Sequence, residues 1–285
     1  MQTIDYNSLK AEFEAFLDEQ TRQLPDGILK DAMRYSLLAA GKRIRPLLLF
    51  GALADYGLNV HDGFPFAAAI EMIHTYSLIH DDMPEMDNDD LRRSKPTCHR
   101  QFGQDMALLA GDGLQALAFE MIGRIEDPEK AARLCLLAAR YAGAAGMCYG
   151  QQLDLQADPS LSLERLEEIE TYKTGCLLAL PLAGAAILAG RYEEAQKWDE
   201  IGKLIGIQFQ IQDDLLERTS SPQAMGKSLS DGRNEKGTAL SLFSLEEGAK
   251  RVLDYDRKIR QKISWLDGGH ENLLVLVDLL TGRTH

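Results

Sequence analysis

A chain of 285 residues can form one large domain or two ordinary ones, and 45% of its residues are apolar, which is enough for a sizeable core. Only nine residues are proline, while alanine and leucine recur throughout, a composition typical of packed helices. Lys plus Arg number 31 against 44 Asp plus Glu, and the formal charge of −13 disfavours nucleic acid or an anionic membrane surface as a partner.

The pattern along the chain predicts helices and little else. Apolar residues recur at three- and four-residue spacing in about ten segments. Alternating β-branched runs bounded by Asn-Gly turns are nearly absent, and no Ser/Gly/Pro-rich linker divides the chain. We therefore expect an all-α fold built as a single domain over residues 1–285. The predicted helices cover residues 9–17, 28–40, 46–56, 66–79, 106–122, 131–145, 163–172, 176–189, 198–217 and 240–265.

Several features bear on the cellular compartment. The N-terminus carries acidic residues where a signal peptide would have a basic start and an apolar stretch. The longest apolar run, residues 176–190, is too short to span a bilayer and contains Pro181, so we expect a central core helix. The cysteines lack paired spacing, and three of them lie in apolar surroundings typical of a helix interior, which predicts reduced thiols in a cytoplasmic protein. They are Cys98, Cys135, Cys148 and Cys176.

Two clusters of carboxylates each close an apolar helix. The first, DDMPEMD at 81–87, follows AAAIEMIHTYSLIH, and the second, DDLLE at 213–217, follows IGIQFQIQ. Asp213 and Glu217 are four residues apart and share one helical face, where like charges repel. In the first cluster Pro84 disrupts the helix, so that two extra residues can loop out and Asp87 can return toward Asp81.

Carboxylates crowded in this way need a compensating charge. A single DDxxE motif is more often solvated surface, but two clusters that follow apolar helices favour a shared site. Mg²⁺ prefers one or two carboxylates together with substrate phosphate oxygens and water. The net negative charge of the chain is then compatible with an anionic substrate, because metal cations bridge the protein carboxylates and the substrate.

The motifs taken together resemble the trans-prenyltransferases of the polyprenyl synthetase family, and among them the bacterial farnesyl diphosphate synthases, whose aspartate motifs are DDxxxxD and DDxxD. Beyond the two clusters, the resemblance rests on GKRIRP at 41–46, EMIHTYSLIH at 71–80, GQQLDL at 150–155, KTG at 173–175, FQIQDD at 209–214 and GKxxxDxxxxKxT from 226 to 238. It covers nearly the whole chain. It implies a helical bundle around a deep central cavity, with the aspartate clusters on opposing walls of its mouth, and usually a homodimer.

The activity that the resemblance implies is head-to-tail joining of isopentenyl diphosphate to dimethylallyl diphosphate and then to geranyl diphosphate, which gives farnesyl diphosphate. The allylic diphosphate ionises, the isopentenyl double bond attacks the cation, and the released diphosphate takes the proton. No protein nucleophile is needed. Three Mg²⁺ ions are implied, and Mn²⁺ is expected to substitute for them.

Residue roles follow from the matching positions. The metal ligands implied are Asp81, Asp87 and Asp213, and the residues expected to support them are Asp82, Asp214 and Glu217. The residues implied to bind isopentenyl diphosphate are Lys42, Arg45, Arg93 and His74, although His74 alone would be an ordinary helix histidine. Those implied to contact the allylic diphosphate are Arg92, Lys173, Lys227 and Lys236. The cation would be stabilised by Thr174, Gln210 and the carbonyl group of Lys173.

Two further expectations concern the neighbouring residues. Closure of the segment 219–237 would bring Lys227 over the site and exclude water. For Arg43 and Lys95 we expect a solvated surface charge.

Tyr76 is the residue expected to set product length. It precedes Asp81 by five residues, about 7.5 Å down a helix, where a large side chain can form a floor. With Ser77 beside it, Tyr76 predicts that elongation stops at fifteen carbons. The alternative is that Tyr76 is a plain core aromatic residue.

Two positions depart from the pattern of the family. Glu217 replaces the last aspartate of the second motif, and Ala239 and Leu240 follow Thr238 where Tyr-Pro is usual. The alternatives that stay open are a geranyl or geranylgeranyl diphosphate synthase and a non-catalytic partner subunit of a heteromeric synthase. Such subunits typically lose an aspartate cluster, and here both are present.

Overall fold

The computed structural model describes residues 4–158, 161–219 and 242–282, and these residues form an all-α fold, as the sequence predicts. The only strands among them are two residues long, β1 (Leu91–Arg92) and β2 (Lys95–Pro96), paired antiparallel in a small hairpin. The helices are α1 (Tyr6–Arg22), α2 (Ile28–Leu37), α3 (Ile44–Asp55), α4 (Phe64–Asp81), α5 (Cys98–Phe102), α6 (Gln104–Gly123), α7 (Pro128–Ala142), α8 (Met147–Leu155), α9 (Leu163–Glu170), α10 (Cys176–Leu188), α11 (Ala195–Thr219), α12 (Leu245–Ile263) and α13 (Glu271–Thr281).

The centre of the fold is the helix α10, which is buried from Cys176 to Ile187. Its residues are apolar on every side, which is the pattern of a helix surrounded by others. It packs against α3 and α11, and α4 packs against α6. The prediction of a central core helix over the run 176–190 is therefore confirmed, with Pro181 accommodated inside it.

The helices α9 and α10 are joined without a loop by a π-helical turn, Thr171–Gly175. A π turn adds a residue to the normal α-helical repeat and is frequent at functional sites. Gly206 of α11 lies against this turn, because a Cβ atom there would come within 2.4 Å of the Cα atom of Gly175. The turn is thus wedged tightly against the following layer of the bundle.

Two helical stretches, Gln104–Gly123 and Leu163–Leu188, are long and apolar enough to cross a membrane. Most of the second stretch is buried inside the protein, which is what a core helix of a globular protein shows. The helical stretch is longer than the apolar run 176–190 in the sequence, because the charged helix α9 and the π turn precede that run without a break.

The four cysteines form no disulfide, in agreement with the predicted free thiols. Cys98 and Cys176 are buried, but Cys135 and Cys148 are exposed. The expectation that three cysteines lie in a helix interior was therefore wrong for Cys135 and Cys148 and correct for Cys176. Cys148 faces the large cavity described next.

Candidate functional site

A cavity of about 510 Å³ opens between α4, α8 and the π turn. Seven of its lining residues were predicted from the sequence as site residues, and they come from three separate parts of the chain. The structure thus brings together residues that are up to 129 positions apart (174 − 45 = 129). The predicted residues that line it are Arg45, His74, Tyr76, Ser77, Asp81, Lys173 and Thr174.

The first carboxylate cluster lies at the mouth of the cavity. Asp81 is the last residue of α4, and the backbone N–H of Asp87 donates a hydrogen bond to the carbonyl oxygen of Asp81 at 2.8 Å. The prediction that the chain loops out after Pro84 and returns is therefore confirmed. Burial and the neighbouring Asp87 raise the pKa of Asp81 to about 6, although Lys173 acts in the opposite direction. Two half-buried carboxylates whose charges repel each other suit a divalent cation, which prefers oxygen ligands.

Lys173 projects from the π turn into the same region. Its Nζ donates to Asp154 Oδ2 of α8 at 2.7 Å. Burial lowers the pKa of Lys173, but Asp154, Asp81 and Asp87 outweigh burial, and the net direction is upward. Lys173 is therefore a charged ammonium group that lies close to the first cluster.

Gly150 explains how α8 reaches the π turn. A Cβ atom on Gly150 would lie 2.1 Å from the backbone nitrogen of Lys173, so only glycine permits this approach. The contact places Asp154, one helical turn further along α8, beside the ammonium group of Lys173.

The second cluster lies on α11. Asp214 is buried, and its Oδ1 accepts a hydrogen bond from Gln210 Nε2 at 3.1 Å. Asp213 is half-buried, and its charge acts on the guanidinium group of Arg45 in the cavity. Both clusters therefore act on groups of one site. The side chain of Glu217, and the residues Lys227 and Lys236, lie outside the described part of the chain.

Positive charge is concentrated beside this acidic mouth. Burial lowers the pKa of Arg45 to about 10, while Glu71 and Asp213 raise it. The Nε atom of Arg45 is buried and makes no hydrogen bond to the described residues. Burial and the nearby arginines, Arg45 first, hold the pKa of His74 well below its ordinary value. In a chain of net charge −13, the guanidinium groups of Arg45 and of the other arginines near His74 suit an anion.

The other predicted cations differ in their surroundings. Lys42 and Arg93 are exposed, and Arg93 Nη1 donates to the carbonyl oxygen of Ala39 at 3.3 Å. Arg92 forms hydrogen bonds with both carboxylate oxygens of the buried Asp82, with its Nε at 2.8 Å from each. In this structure Arg92 therefore holds Asp82 at the end of α4.

Arg43 contradicts the expectation of a solvated charge. Its side chain is 2% exposed and donates from Nη1 to Glu71 Oε1 at 2.6 Å and from Nε to Glu14 Oε1 at 3.1 Å. The reason is an acidic partner 28 residues away on α4, which local sequence does not reveal. The expectation for Lys95, which is exposed, was correct.

Tyr76, which is 6% exposed, lines the cavity five residues before Asp81 on α4. Its ring lies 5.9 Å from that of His80, edge to face, on the same face of α4. Ser77 is half-buried beside it, and Met147, Cys148 and Leu177 complete the apolar wall.

Four residues of this site were not singled out from the sequence. Gln151 and Gln152 line the cavity, Asp154 pairs with Lys173, and Glu170 is buried behind Thr174. Three of them belong to the motif GQQLDL, which was recognised but not analysed residue by residue. Glu170 carries no local signal, because a glutamate in LERLEEIE suits a solvated helix face.

Glu170 gives the protein a pH-dependent stability. Burial raises the pKa of Glu170 from 4.5 to about 8; Lys173 lowers it and Asp214 raises it. Between these values the folded state holds a proton that the unfolded state has lost. The stability contributed by Glu170 therefore falls as pH rises from about 4.5 to 8 and stays low above that range.

We expect Glu170→Gln to be more stabilising at about pH 8.5 than at about pH 5, by on the order of 2 to 4 kcal/mol. Urea unfolding in EDTA at the two pH values measures the difference. Glu164→Gln, an exposed glutamate of the same helix, is the control. Equal effects of Glu170→Gln at both pH values would contradict the expectation.

Comparison with known proteins agrees with this site. The polyprenyl synthetase family matches residues 26–264. The farnesyl diphosphate synthase of Geobacillus stearothermophilus is 41% identical over 95% of this chain and 98% of its own length. The chloroplastic geranylgeranyl pyrophosphate synthase of Capsicum annuum is 39% identical over 94% of this chain and 74% of its own. A crystal structure of a geranyltransferase from Helicobacter pylori, complexed with magnesium and isoprenyl diphosphate, superposes with a TM-score of 0.84 at 28% identity, over 96% of this chain and 94% of that one. The chain therefore belongs to the polyprenyl synthetase family.

Proposed function

We propose that the protein condenses isopentenyl diphosphate head to tail with dimethylallyl diphosphate and then with geranyl diphosphate, giving farnesyl diphosphate and diphosphate. One observation carries the proposal: a single cavity is lined by the carboxylate of Asp81, by the cations Arg45 and Lys173, and by apolar side chains beside Tyr76. This combination suits a substrate with a diphosphate head and a hydrocarbon tail. The similarity to farnesyl diphosphate synthases supports the same reaction.

Magnesium is the cofactor that the site fits. Asp81 and Asp87 are held together by the returning loop, and Asp213 lies on the second wall. We assign the three expected Mg²⁺ ions to these carboxylates, with Mn²⁺ able to replace them. When bound, the metal supplies positive charge beside the departing diphosphate. The magnesium complex of the Helicobacter pylori relative supports this assignment.

Two groups of side chains serve the two substrates. Isopentenyl diphosphate binds to Arg45 and His74, which are half-buried and line the cavity, together with the exposed Lys42 and Arg93. A guanidinium group suits this task because its forked donors match phosphate oxygens. The allylic diphosphate is contacted by Arg92 and Lys173, and by Lys227 and Lys236 from outside the described residues.

The remaining residues act on the allylic cation. Loss of diphosphate from the allylic substrate leaves a carbocation, and the isopentenyl double bond supplies the electron pair of the new carbon–carbon bond. The proton that is then lost goes to the released diphosphate. Thr174 and Gln210 offer oxygen dipoles to the cation, and Lys173 stabilises the charge on the leaving group.

The test of this function is incubation of the purified protein with labelled isopentenyl and dimethylallyl diphosphates, with and without Mg²⁺. Chromatography of the dephosphorylated products should show fifteen-carbon alcohol only when Mg²⁺ is present. A twenty-carbon product would favour the geranylgeranyl alternative, which the Capsicum annuum relative keeps open. A ten-carbon product would favour a geranyl diphosphate synthase, and absence of elongation would favour the partner-subunit alternative.

Product length is expected to change when Tyr76 is made small. Tyr76→Ala removes the aromatic floor, so that the chain can grow deeper and twenty-carbon or longer products should appear. Product chromatography measures the shift. Tyr76→Phe keeps the ring and should still stop at fifteen carbons. An unchanged product from Tyr76→Ala would show that Tyr76 is a plain core residue.

We further propose that residues 1–285 work as one domain in a cytoplasmic homodimer, without nucleic acid or membrane insertion. The apolar helix α6 exposes Leu108 at 48% and Leu109 at 46%, which is the kind of surface that a second copy would cover. Light scattering after gel filtration measures the mass. Leu109→Asp should yield monomers if α6 forms the contact.

A further inference from the structure

Glu170 is a buried carboxyl group that the proposed reaction does not yet use. It is the last residue of α9, is 9% exposed, and lies among Leu166, Ile207 and Ile211 of the second apolar cluster. A buried carboxyl group costs free energy that an apolar residue at the same place would avoid. Its retention at this position therefore calls for a role.

The hydrogen bond of Glu170 indicates what that role is. Thr174 Oγ1 donates to Glu170 Oε2 at 3.1 Å, while Thr174 itself lines the substrate cavity. The hydroxyl group of a helical threonine commonly donates a hydrogen bond to the backbone carbonyl oxygen four residues earlier. Here the side-chain carboxyl group of that residue, Glu170, accepts the hydrogen bond instead.

A threonine hydroxyl has a single proton and two lone pairs. When the proton points at Glu170, behind the cavity wall, the lone pairs of Thr174 Oγ1 point away from it. A carbocation is stabilised by lone pairs and is repelled by an O–H dipole of the opposite orientation. The direction of this one hydrogen bond thus decides whether Thr174 helps or hinders ionisation of the allylic substrate.

Gln210 shows the same arrangement. Its Nε2 donates to Asp214 Oδ1 at 3.1 Å, which turns the amide oxygen away from the carboxylate. In both cases a carboxyl group binds the hydrogen of the group assigned to the cation. The two carboxyl groups also lie close enough for Asp214 to influence the titration of Glu170.

We propose that Glu170 is a positioning residue for prenyl transfer, which accepts the hydrogen bond of Thr174 and thereby presents the lone pairs of Thr174 Oγ1 to the allylic cation. The inference rests on the proposed function. The acceptor oxygen, rather than the negative charge, is what matters, so an amide at the same place should serve as well.

Four variants test the proposal against wild-type turnover with Mg²⁺ present. Glu170→Met removes the acceptor at similar length and should lower kcat about 10- to 100-fold with KM for both substrates within about twofold. Glu170→Asp keeps the carboxyl group but withdraws its oxygen atoms from Thr174, and should lose kcat similarly. Glu170→Gln restores the acceptor and should stay within about threefold of wild type. In a protein that already carries Thr174→Val, adding Glu170→Met should lower kcat further by less than about twofold, because the two residues act as a unit.

The outcomes separate the possibilities. The positioning role would be overturned if the double variant lost kcat by the product of the two single losses, those of Glu170→Met and Thr174→Val. It would also be overturned if Glu170→Met kept the wild-type kcat. Loss of activity in Glu170→Gln equal to that in Glu170→Asp would overturn the acceptor role. Circular dichroism checks that each variant is folded. If Glu170→Met is not folded, Glu170→Asp takes its place as the test variant. Wild-type protein that fails to elongate any substrate would instead refute the proposed function itself.

Discussion

Asp81→Asn should lower kcat/KM by about 10²- to 10³-fold, because it removes a negative charge from the carboxylate cluster that we assign to the metal. Excess Mg²⁺ should restore little of the loss, since the amide is a poor replacement for a charged oxygen ligand. Steady-state kinetics over a Mg²⁺ titration measures both quantities.

Loss of stability cannot account for this effect. Burial and the like charge of Asp87 raise the pKa of Asp81 to about 6, so the charged side chain destabilises the folded protein when no ligand is bound. At about pH 8 Asp81→Asn should therefore unfold at the same or higher temperature than wild type. Activity and stability should move in opposite directions.

The matched control is Asp90→Asn, on the same loop. Asp90 is exposed and pairs with Arg100 at the surface, so its loss should change kcat/KM by less than about twofold. A loss below tenfold for Asp81→Asn, or an equal loss for Asp90→Asn, would contradict the assignment of Asp81 to the metal.

Glu71→Ala should lower the free energy of unfolding by about 3 to 5 kcal/mol, because it leaves the guanidinium group of Arg43 buried without its main partner. The two side chains are 2% and 4% exposed, and no water can replace the lost carboxylate easily. Urea unfolding measures the change through the midpoint, with the slope expected to stay constant.

Glu14→Ala is the control for Glu71→Ala. Glu14 bonds the same arginine but is 36% exposed, so its removal should cost less than about 1 kcal/mol. Similar losses for the two variants would show that burial does not set the strength of the pair. Glu71→Met combined with Arg43→Met should recover part of the stability, since neither charge is then left buried.

The same ion pair should affect catalysis. Arg43 adopts a left-handed backbone conformation with φ of 51°, and it lies between Lys42 and the buried Arg45. Glu71 and Glu14 hold the side chain of Arg43, and with it the start of α3. We expect Glu71→Gln, which retains a hydrogen bond, to raise KM for isopentenyl diphosphate more than for the allylic substrate.

The helices that position the site were largely predictable, but α8 was not. Its sequence, MCYGQQLDL, has no amphipathic period, and Gly150 lies within it. The glycine lowers helix propensity and is required by the approach to Lys173, a contact between residues 23 positions apart that local pattern cannot reveal (173 − 150 = 23). The helix α13 was missed for a related reason, because NLLVLV is continuously apolar and shows no helical period.

In the candidate site, the identity of the charged residues could be predicted from the sequence, but their partners could not. The carboxylates and cations were predictable because crowded charges are unusual and have few explanations. Their pairing was not, since Asp154 with Lys173, Asp82 with Arg92 and Glu71 with Arg43 each join separate elements. Arg43 was misinterpreted for this reason alone.

The hydrogen bond from the Asp87 N–H to the Asp81 carbonyl oxygen has a consequence for how the chain can vary in length. It closes a backbone ring around Asp82 to Met86, and the N–H of Met86 donates a further hydrogen bond to the carbonyl oxygen of Met83 inside that ring. Pro84 and the exposed Glu85 belong to the same ring. Deleting these two residues would leave Asp81 and Asp87 four positions apart, which on a continuous helix is one turn. A chain shorter by two residues here could therefore still place the two carboxylates on one side of the helix.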